Sequence, residues 1–228
     1  MDKQHKAGID GDQWAQCVRE HGWLWDAASG KAFATLILAH GAGAPMDSSW
    51  MNDVTARLVT QGVNVLRFEF PYMAQRRVDG SKRPPNPMPR LLACWREVHD
   101  RVRRHVAGPL AIGGKSMGGR VASMLADELG ADALVCLGYP FYAVGKPEKP
   151  RVEHLAALKT RTLIVQGERD ALGNREAVEG YALSPSIEVF WLVAGDHDLK
   201  PLKASGFSHE QHLALAAKRV ADVVSAVS

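Results

Sequence analysis

A serine lies in a glycine-rich turn between an apolar run and a segment of helical period. Residues 114–118 read Gly-Lys-Ser-Met-Gly, which matches the pattern G-x-S-x-G around Ser116. A tight strand-to-helix turn of this kind strains the serine backbone and needs small residues two positions away on either side. It exposes the hydroxyl and directs the following N–H, that of Met117, to the start of a helix, where it can stabilise an oxyanion. The spacing therefore predicts a nucleophilic serine.

A second glycine-rich loop, residues 40–48, follows an early apolar run and reads HGAGAPMDS. A loop in this position commonly supplies the second N–H that binds an oxyanion. We assign that role to Ala42, with Gly43 as the next choice. His40 precedes the serine and lies in this loop, which favours bracing the loop over acting as a base. His40, Gly43 and Lys115 are also candidates for contacting a substrate.

A serine hydroxyl needs a base to become a strong nucleophile. Nine histidines are present, and His197 is the one that follows the last apolar run, residues 187–193, within an Ala-Gly-Asp-His-Asp turn. The carboxyl ends of parallel strands meet at one edge of a sheet, so His197 is expected beside Ser116. Asp196 and Asp198 flank His197 and are interpreted as turn-forming or capping residues.

The base in turn needs a carboxylate that orients it. The apolar run 162–166 leads into Gly-Glu-Arg-Asp, which places Asp170 between serine and histidine in chain order and at the same sheet edge. Asp170 is the predicted acid. Glu168, two residues earlier, stays open as the alternative.

Two phosphate-binding interpretations of these loops fail on spacing. A G-x-x-x-x-G-K-[ST] loop would need glycine at position 109, where the chain has Pro109. A dinucleotide fingerprint would need a third glycine where Met46 stands. No cofactor is expected. The three cysteines are far apart and form no C-x-x-C pair, so neither a disulfide framework nor a zinc site is predicted.

Strand and helix patterns alternate along the chain. Continuous apolar runs, typical of strands covered on both faces, occupy residues 34–39, 63–70, 110–113, 133–137, 162–166 and 187–193. Helical periodicity occupies residues 49–61, 89–107, 117–129 and 209–224. This alternation predicts a three-layer α/β fold with a mostly parallel central sheet, forming one domain over residues 1–228.

Two polar segments interrupt the alternation. Residues 75–89 are basic and rich in proline and are predicted to be a surface loop, and residues 139–151 are a shorter loop of similar character. Both are expected near the carboxyl edge of the sheet, where α/β proteins place their sites, although plain solvated loops are an equal alternative. No insertion is long enough to predict a large cap domain.

Composition narrows the class of protein. With 46% hydrophobic and 23% charged residues in 228, the chain has ordinary globular usage. A net charge of +3 is too small to indicate nucleic acid as a partner. The charged start of the chain is unlike a signal peptide, and no apolar stretch approaches the ~20 residues that span a bilayer. A cytoplasmic protein without a membrane partner is expected.

Taken with the residues assigned above, the chain resembles the α/β-hydrolase superfamily from about Thr35 to its end, and is most similar to small, cap-less members near the dienelactone hydrolases. The strings HGAGAPMDSSWM, FEFPYM and GGKSMGGR also resemble a hydrolase-like family that is partly named after a subunit of a histone acetyltransferase complex. The resemblance implies an eight-stranded sheet with an abbreviated start, for which residues 22–33 supply a strand or hairpin. True dienelactone hydrolases carry cysteine as the nucleophile, whereas this chain carries Ser116.

The predicted function is hydrolysis of small ester or thioester bonds through Ser116, His197 and Asp170, with Met117 and Ala42 binding the oxyanion and no metal or cofactor. An open pocket favours small substrates, and Lys115 or Arg120 could attract an anionic acyl group, unless both are simply solvated. The alternative is a hydrolase-fold protein that acts mainly as an interaction module. Its motivation is the basic segment 76–90, which holds Arg76, Arg77, Lys82, Arg83 and Arg90.

Overall fold

A seven-stranded sheet forms the centre of the protein, which a computed structural model describes over residues 11–226. Its strands are β1 (Leu24–Asp26), β2 (Ala34–Ala39), β3 (Val63–Phe68), β4 (Leu110–Lys115), β5 (Ala133–Leu137), β6 (Thr162–Gly167) and β7 (Ile187–Leu192). They are ordered β1-β3-β2-β4-β5-β6-β7 across the sheet. Strands β2 to β7 are parallel to their neighbours, and β1 pairs antiparallel with β3.

Helices cover both faces of the sheet. They are α1 (Gly11–Glu20), α2 (Ser49–Thr60), α3 (Pro71–Asp79), α4 (Met88–His105), α5 (Met117–Ser123), α6 (Arg175–Glu179) and α7 (His209–Ser225). Two short 3₁₀ turns, Glu153–Ala157 and Lys203–Ser205, complete the regular structure.

The core is divided by the sheet into two apolar clusters. One cluster packs Trp95 of α4 and Val121 of α5 against the sheet. The other packs Leu58 of α2 and Val220 of α7 against the opposite face. Strands β2, β4, β5 and β6 are buried along their whole length because both faces are covered, which explains why their sequences are continuous rather than alternating. The predicted three-layer, mostly parallel α/β fold without a large cap is confirmed.

The sheet has seven strands within the described residues, whereas the family resemblance implies eight. Residues 22–33 contribute the single short strand β1 at one edge, and β7 forms the other edge within the described residues. The parallel order brings the carboxyl ends of β2, β4, β6 and β7 to one side, so the loops that follow these strands can meet there.

The prediction of a surface loop over residues 75–89 is wrong at both ends. Helix α3 continues to Asp79 and stops at Gly80, whose φ of 69° reverses the chain, and α4 begins at Met88. Proline at the first position of α3 presets the helical φ without losing a hydrogen bond, which offsets the polar composition of this segment. Residues 80–87 alone are irregular.

Other helix boundaries also differ from the predicted ones. Helix α5 ends at Ser123, and the predicted continuation to residue 129 is a series of turns. Residues 139–151 contain no helix or strand, as predicted. The start of the chain, residues 1–10, on which the expectation of no signal peptide mainly depends, lies outside the described residues. No helix within residues 11–226 is both long and apolar enough to cross a membrane.

Candidate active site

The turn between β4 and α5 holds Ser116 in a backbone conformation that is unusual for a residue with a side chain, with φ 51° and ψ −116°. Ser116 N–H donates to the carbonyl of Leu137 at 2.9 Å, which ties the turn to β5. A Cβ added at Gly114 would lie 2.6 Å from Gly118 C, and one at Gly118 would lie 2.6 Å from the carbonyl oxygen of His40. Both glycines of the pattern are therefore required by space, and the strain is retained at the serine between them.

Three side chains from three different loops meet at this turn. His197 Nε2 lies 2.8 Å from Ser116 Oγ, and His197 Nδ1 lies 2.7 Å from Asp170 Oδ2. Asp170 is fully buried, whereas the His197 side chain keeps a quarter of its surface exposed. The structure thus brings together residues that are up to 81 positions apart in the chain, in the arrangement expected from their positions after β4, β6 and β7.

The buried carboxylate of Asp170 is held by donors on both oxygens. Gln166 Nε2 donates to Oδ2 at 2.9 Å, and the N–H of Leu172 donates to Oδ1 at 2.8 Å. Gln166 is itself fixed, because its Oε1 accepts from the N–H of Tyr139 at 2.7 Å. Charge-assisted bonds of this kind compensate for the burial of a carboxylate and fix its direction.

Glu168, the alternative acid, points elsewhere. Its Oε2 accepts the N–H of Ala194 at 2.9 Å, and its Oε1 accepts from Arg175 at 3.0 Å. The hydrogen bond from the Ala194 N–H, and to a smaller extent the one from Arg175, holds the pKa of Glu168 below its usual range. This carboxylate braces the connection after β7, and Asp170 is the acid that contacts His197.

A cavity of about 320 Å³ opens beside Ser116. It is lined by the loop 41–44, by Ser48, Trp50 and Met51, and by Lys115, Ser116, His197 and Asp198. Gly43 and Ala42, both predicted near the substrate, lie in this lining.

Met117 and Ala42, the residues predicted to supply the oxyanion donors, lie on segments next to Ser116. Met117 is the first residue of α5, so its N–H has no acceptor inside the helix. The loop that carries Ala42 is pressed against the nucleophile turn, since a Cβ added at Gly41 would lie 3.7 Å from Ser116 Cβ. Tyr72 braces this loop by donating its hydroxyl to the carbonyl of Ala42 at 2.9 Å, and burial raises the pKa of Tyr72 to about 12.

The structure places His40 behind the loop and outside the cavity lining. Its ring is fully buried, Nδ1 lies 2.6 Å from the carbonyl oxygen of Gly41, and Nε2 accepts the N–H of Phe70 at 3.1 Å. This pairing requires the neutral ring, and burial lowers the pKa of His40. His40 therefore braces the loop, and the expectation that it contacts the substrate is corrected.

Neither predicted cation is placed to bind an anionic substrate. Lys115 lines the cavity, but its Nζ donates to the carbonyl of His197 at 2.8 Å and lies 3.2 Å from Asp198 Oδ1. Arg120 lies outside the cavity lining, and burial lowers its pKa. Asp196 forms the turn as expected, because its Oδ1 accepts the N–H groups of Asp198 and Lys200, each at 2.9 Å.

The basic segment is partly neutralised. Arg77 forms ion pairs with Glu69 and Asp47, which brace the far end of loop 40–48, and Arg83 pairs with Asp79. Within residues 11–226 no cluster of three or more histidine, cysteine or acidic side chains is placed to hold a metal ion.

Tyr72, Trp50 and Gln166 had no assigned role in the sequence. Tyr72 and Trp50 lie in the strings that carry the family resemblance, but no local pattern connects them to the serine. The sequence does contain a signal for Gln166, because it is an amide near the end of a buried strand whose central residues are apolar.

A parallel sheet with a strained serine between β4 and α5, and a histidine and a buried carboxylate after later strands, defines the class of α/β hydrolases. Residues 32–225 match the family model of an alpha/beta hydrolase domain, and the chain belongs to that family.

Solved structures share this fold at low sequence identity. A lidless α/β serine hydrolase from Xanthomonas campestris is 20% identical with a TM-score of 0.65, covering 87% of this chain and 88% of that one. A dienelactone hydrolase from Anabaena variabilis is 20% identical with a TM-score of 0.64, covering 88% and 89%. Est1E from Butyrivibrio proteoclasticus, solved with ferulic acid bound, is 15% identical with a TM-score of 0.65, covering 89% and 95%.

Proposed function

We propose that this protein is a serine hydrolase that cleaves small carboxylic esters or thioesters through an acyl-enzyme. The observation that carries the proposal is the continuous contact from Ser116 Oγ to His197 Nε2 at 2.8 Å, and from His197 Nδ1 to Asp170 Oδ2 at 2.7 Å, beside an open cavity. Membership of the hydrolase family supports the same reaction class.

We infer the following reaction steps, which this geometry supports. His197 Nε2 accepts the proton of Ser116 as Oγ attacks the carbonyl carbon, and Asp170 stabilises the imidazolium that forms. The carbonyl oxygen becomes an oxyanion, which the N–H groups of Met117 and Ala42 bind. The imidazolium then gives its proton to the departing alcohol or thiol, leaving an acyl group on Ser116. A water molecule deprotonated by His197 then attacks the acyl carbon. The bond from that carbon to Ser116 Oγ breaks, the imidazolium returns its proton to Oγ, and the carboxylic acid leaves.

The cavity favours small, uncharged acyl groups. Its volume of about 320 Å³ is at the lower end of ligand pockets, and Trp50 and Met51 supply an apolar wall. Lys115 is engaged by His197 and Asp198, so a negative charge on the acyl group gains little there. Whether oxygen or sulfur leaves is decided by the substrate, since the same oxyanion forms in both cases.

A fluorophosphonate probe tests the proposal directly. Wild type should be labelled at Ser116, and Ser116→Ala should be unlabelled and lose about 10⁶-fold in kcat for p-nitrophenyl esters. Ser48→Ala is the matched control, because Ser48 lines the same cavity and lies outside the contact chain to His197. It should be labelled like wild type.

A series of p-nitrophenyl esters tests the substrate class. Acetate to butyrate and benzoate should be cleaved with higher kcat/KM than long-chain esters, because a cavity of about 320 Å³ has room for a small acyl group only. Folded wild type that resists the probe and cleaves none of these esters would overturn the proposed function. An optimum at long acyl chains would overturn the substrate class alone.

A further inference from the structure

Lys115, the residue before the nucleophile, extends a buried ammonium group across to the turn that carries His197. The side chain of Lys115 is 9% exposed. Its Nζ donates to the backbone carbonyl of His197 at 2.8 Å, lies 3.2 Å from Asp198 Oδ1 and sits 5.4 Å from the centre of the Trp50 ring. Since a buried ammonium is costly unless paired, these contacts are what keeps the charge in this position.

The space for this contact is created by Gly138, which follows β5 with a φ of 67°. A Cβ at this position would lie 2.7 Å from the His197 carbonyl oxygen and 3.2 Å from Lys115 Nζ. Gly138 thus lets the ammonium and the carbonyl meet beside the nucleophile turn. The contact therefore depends on two backbone groups: the Cβ-free Gly138, which leaves room for it, and the His197 carbonyl, which accepts the bond.

Other groups hold the neighbouring residue rather than the histidine. Trp50 Nε1 donates to the carbonyl of Asp198 at 2.9 Å, and His209 Nε2 lies 2.9 Å from the same oxygen. Among the described hydrogen bonds, the one from Lys115 is the bond that reaches the carbonyl of His197 itself. It links the end of the strand that carries the serine to the backbone of the base.

We propose that Lys115 is a positioning residue, which fixes the backbone of His197 so that Nε2 stays in line with Ser116 Oγ. This inference rests on the proposed function. An error of about 1 Å in the placement of a reacting group can lower a rate about 10²-fold, so the loss of this tie acts on kcat. Substrate binding depends on the apolar wall and is spared.

The test is Lys115→Met, which keeps the length and apolar stem of the side chain and removes the donor. End-point titration with a fluorophosphonate counts competent active sites, and kcat is then expressed per titrated site. We expect kcat per site on a neutral p-nitrophenyl ester to fall roughly 10- to 100-fold, with KM within about 2-fold of wild type. Lys200→Met, which removes an exposed lysine from the same segment, is the matched control and should match wild type.

Asp198→Asn separates the carbonyl tie from the ion pair. It weakens the pairing of Lys115 but leaves the bond to His197, so its loss in kcat should be smaller than that of Lys115→Met. If Lys115→Met does not fold, Lys115→Leu, which also lacks a donor, replaces it under the same criterion.

Two results would overturn the inference: an unchanged kcat per titrated site, or fewer titrated sites of normal kcat, which would mark Lys115 as structural only. A wild type that neither titrates nor cleaves esters would instead overturn the proposed function.

Discussion

Gln166 donates its side-chain amide to Asp170 Oδ2 at 2.9 Å, the same oxygen that lies 2.7 Å from His197 Nδ1. The amide therefore sits behind the carboxylate that orients the base, and both groups are fully buried. Gln166 also donates to the carbonyl of Gly173 at 3.1 Å, so it ties the acid loop to the end of β6.

Replacing Gln166 should cost both stability and rate. Gln166→Met keeps the side-chain volume but leaves the buried Tyr139 N–H without an acceptor and removes one of the donors to the Asp170 carboxylate. We expect the free energy of unfolding to fall by on the order of 1–3 kcal/mol, measured by urea denaturation. The kcat should fall about 10-fold, because the carboxylate is less firmly directed. A stable variant of normal kcat would contradict this role.

Asp170→Asn and Glu168→Gln should differ sharply. The first substitution favours the wrong imidazole tautomer at His197 and should lower kcat about 10⁴-fold while the fold is retained. The second removes a charge that contacts Ala194 and Arg175 and should change kcat by less than about 10-fold. Ester hydrolysis by the two purified variants, with circular dichroism as the check on folding, measures the difference. The reverse order would transfer the acid role to Glu168.

The rate should depend on pH in one direction. His197 must be neutral to accept the serine proton, so protonation of its ring removes the base. The kcat/KM for a neutral ester should therefore rise through the neutral range and reach a plateau on the alkaline side. His197→Ala should abolish the rise together with most of the activity. A variant that keeps the wild-type profile would exclude His197 as the base.

Acid should also destabilise the fold through His40. Burial lowers the pKa of His40, so the unfolded chain binds a proton at a higher pH than the folded chain does. Protonation of His40 therefore leaves the free energy of unfolding unchanged above about pH 6.5. Below that pH it lowers this free energy, by up to about 1.4 kcal/mol per pH unit for one such group. His40→Gln, whose amide oxygen can accept the Phe70 N–H, should show a weaker loss of Tm between about pH 7 and about pH 5. His99 and His154, whose pKa values burial also lowers, contribute in the same direction. Equal slopes for wild type and His40→Gln would contradict the assignment.

The sequence was most informative where local pattern and topology coincide. Buried parallel strands are short, continuous and apolar, so β2 and β5 were predicted to the residue. Because their carboxyl ends share one edge, the chain order serine, acid, histidine was enough to place Ser116, Asp170 and His197 near one another. The choice between Asp170 and Glu168 depended on side-chain direction, which two residues of spacing do not fix.

The remaining features depend on contacts between distant segments. Helix α3 has few apolar residues, and its burial of Tyr72 and Met73 follows from packing that composition does not reveal. The local sequence suggests an anion-binding role for Lys115. It does not reveal the actual partner, the carbonyl of His197, because that group is 82 residues away in the chain. Local sequence shows a lysine beside the serine, and the fold supplies what the lysine contacts.

Gly114 and Gly118 have a consequence for how divergent relatives of this chain are interpreted. Each is required because a methyl group there would overlap backbone from the neighbouring turn or strand, whatever residue occupies position 116. A descendant that had abandoned hydrolysis and kept the architecture for another purpose would still need both glycines. Asp170, by contrast, is a fully buried carboxylate whose role in the site is its contact with the base. A relative that keeps both glycines but lacks this carboxylate would therefore be expected to keep the fold without the hydrolytic chemistry.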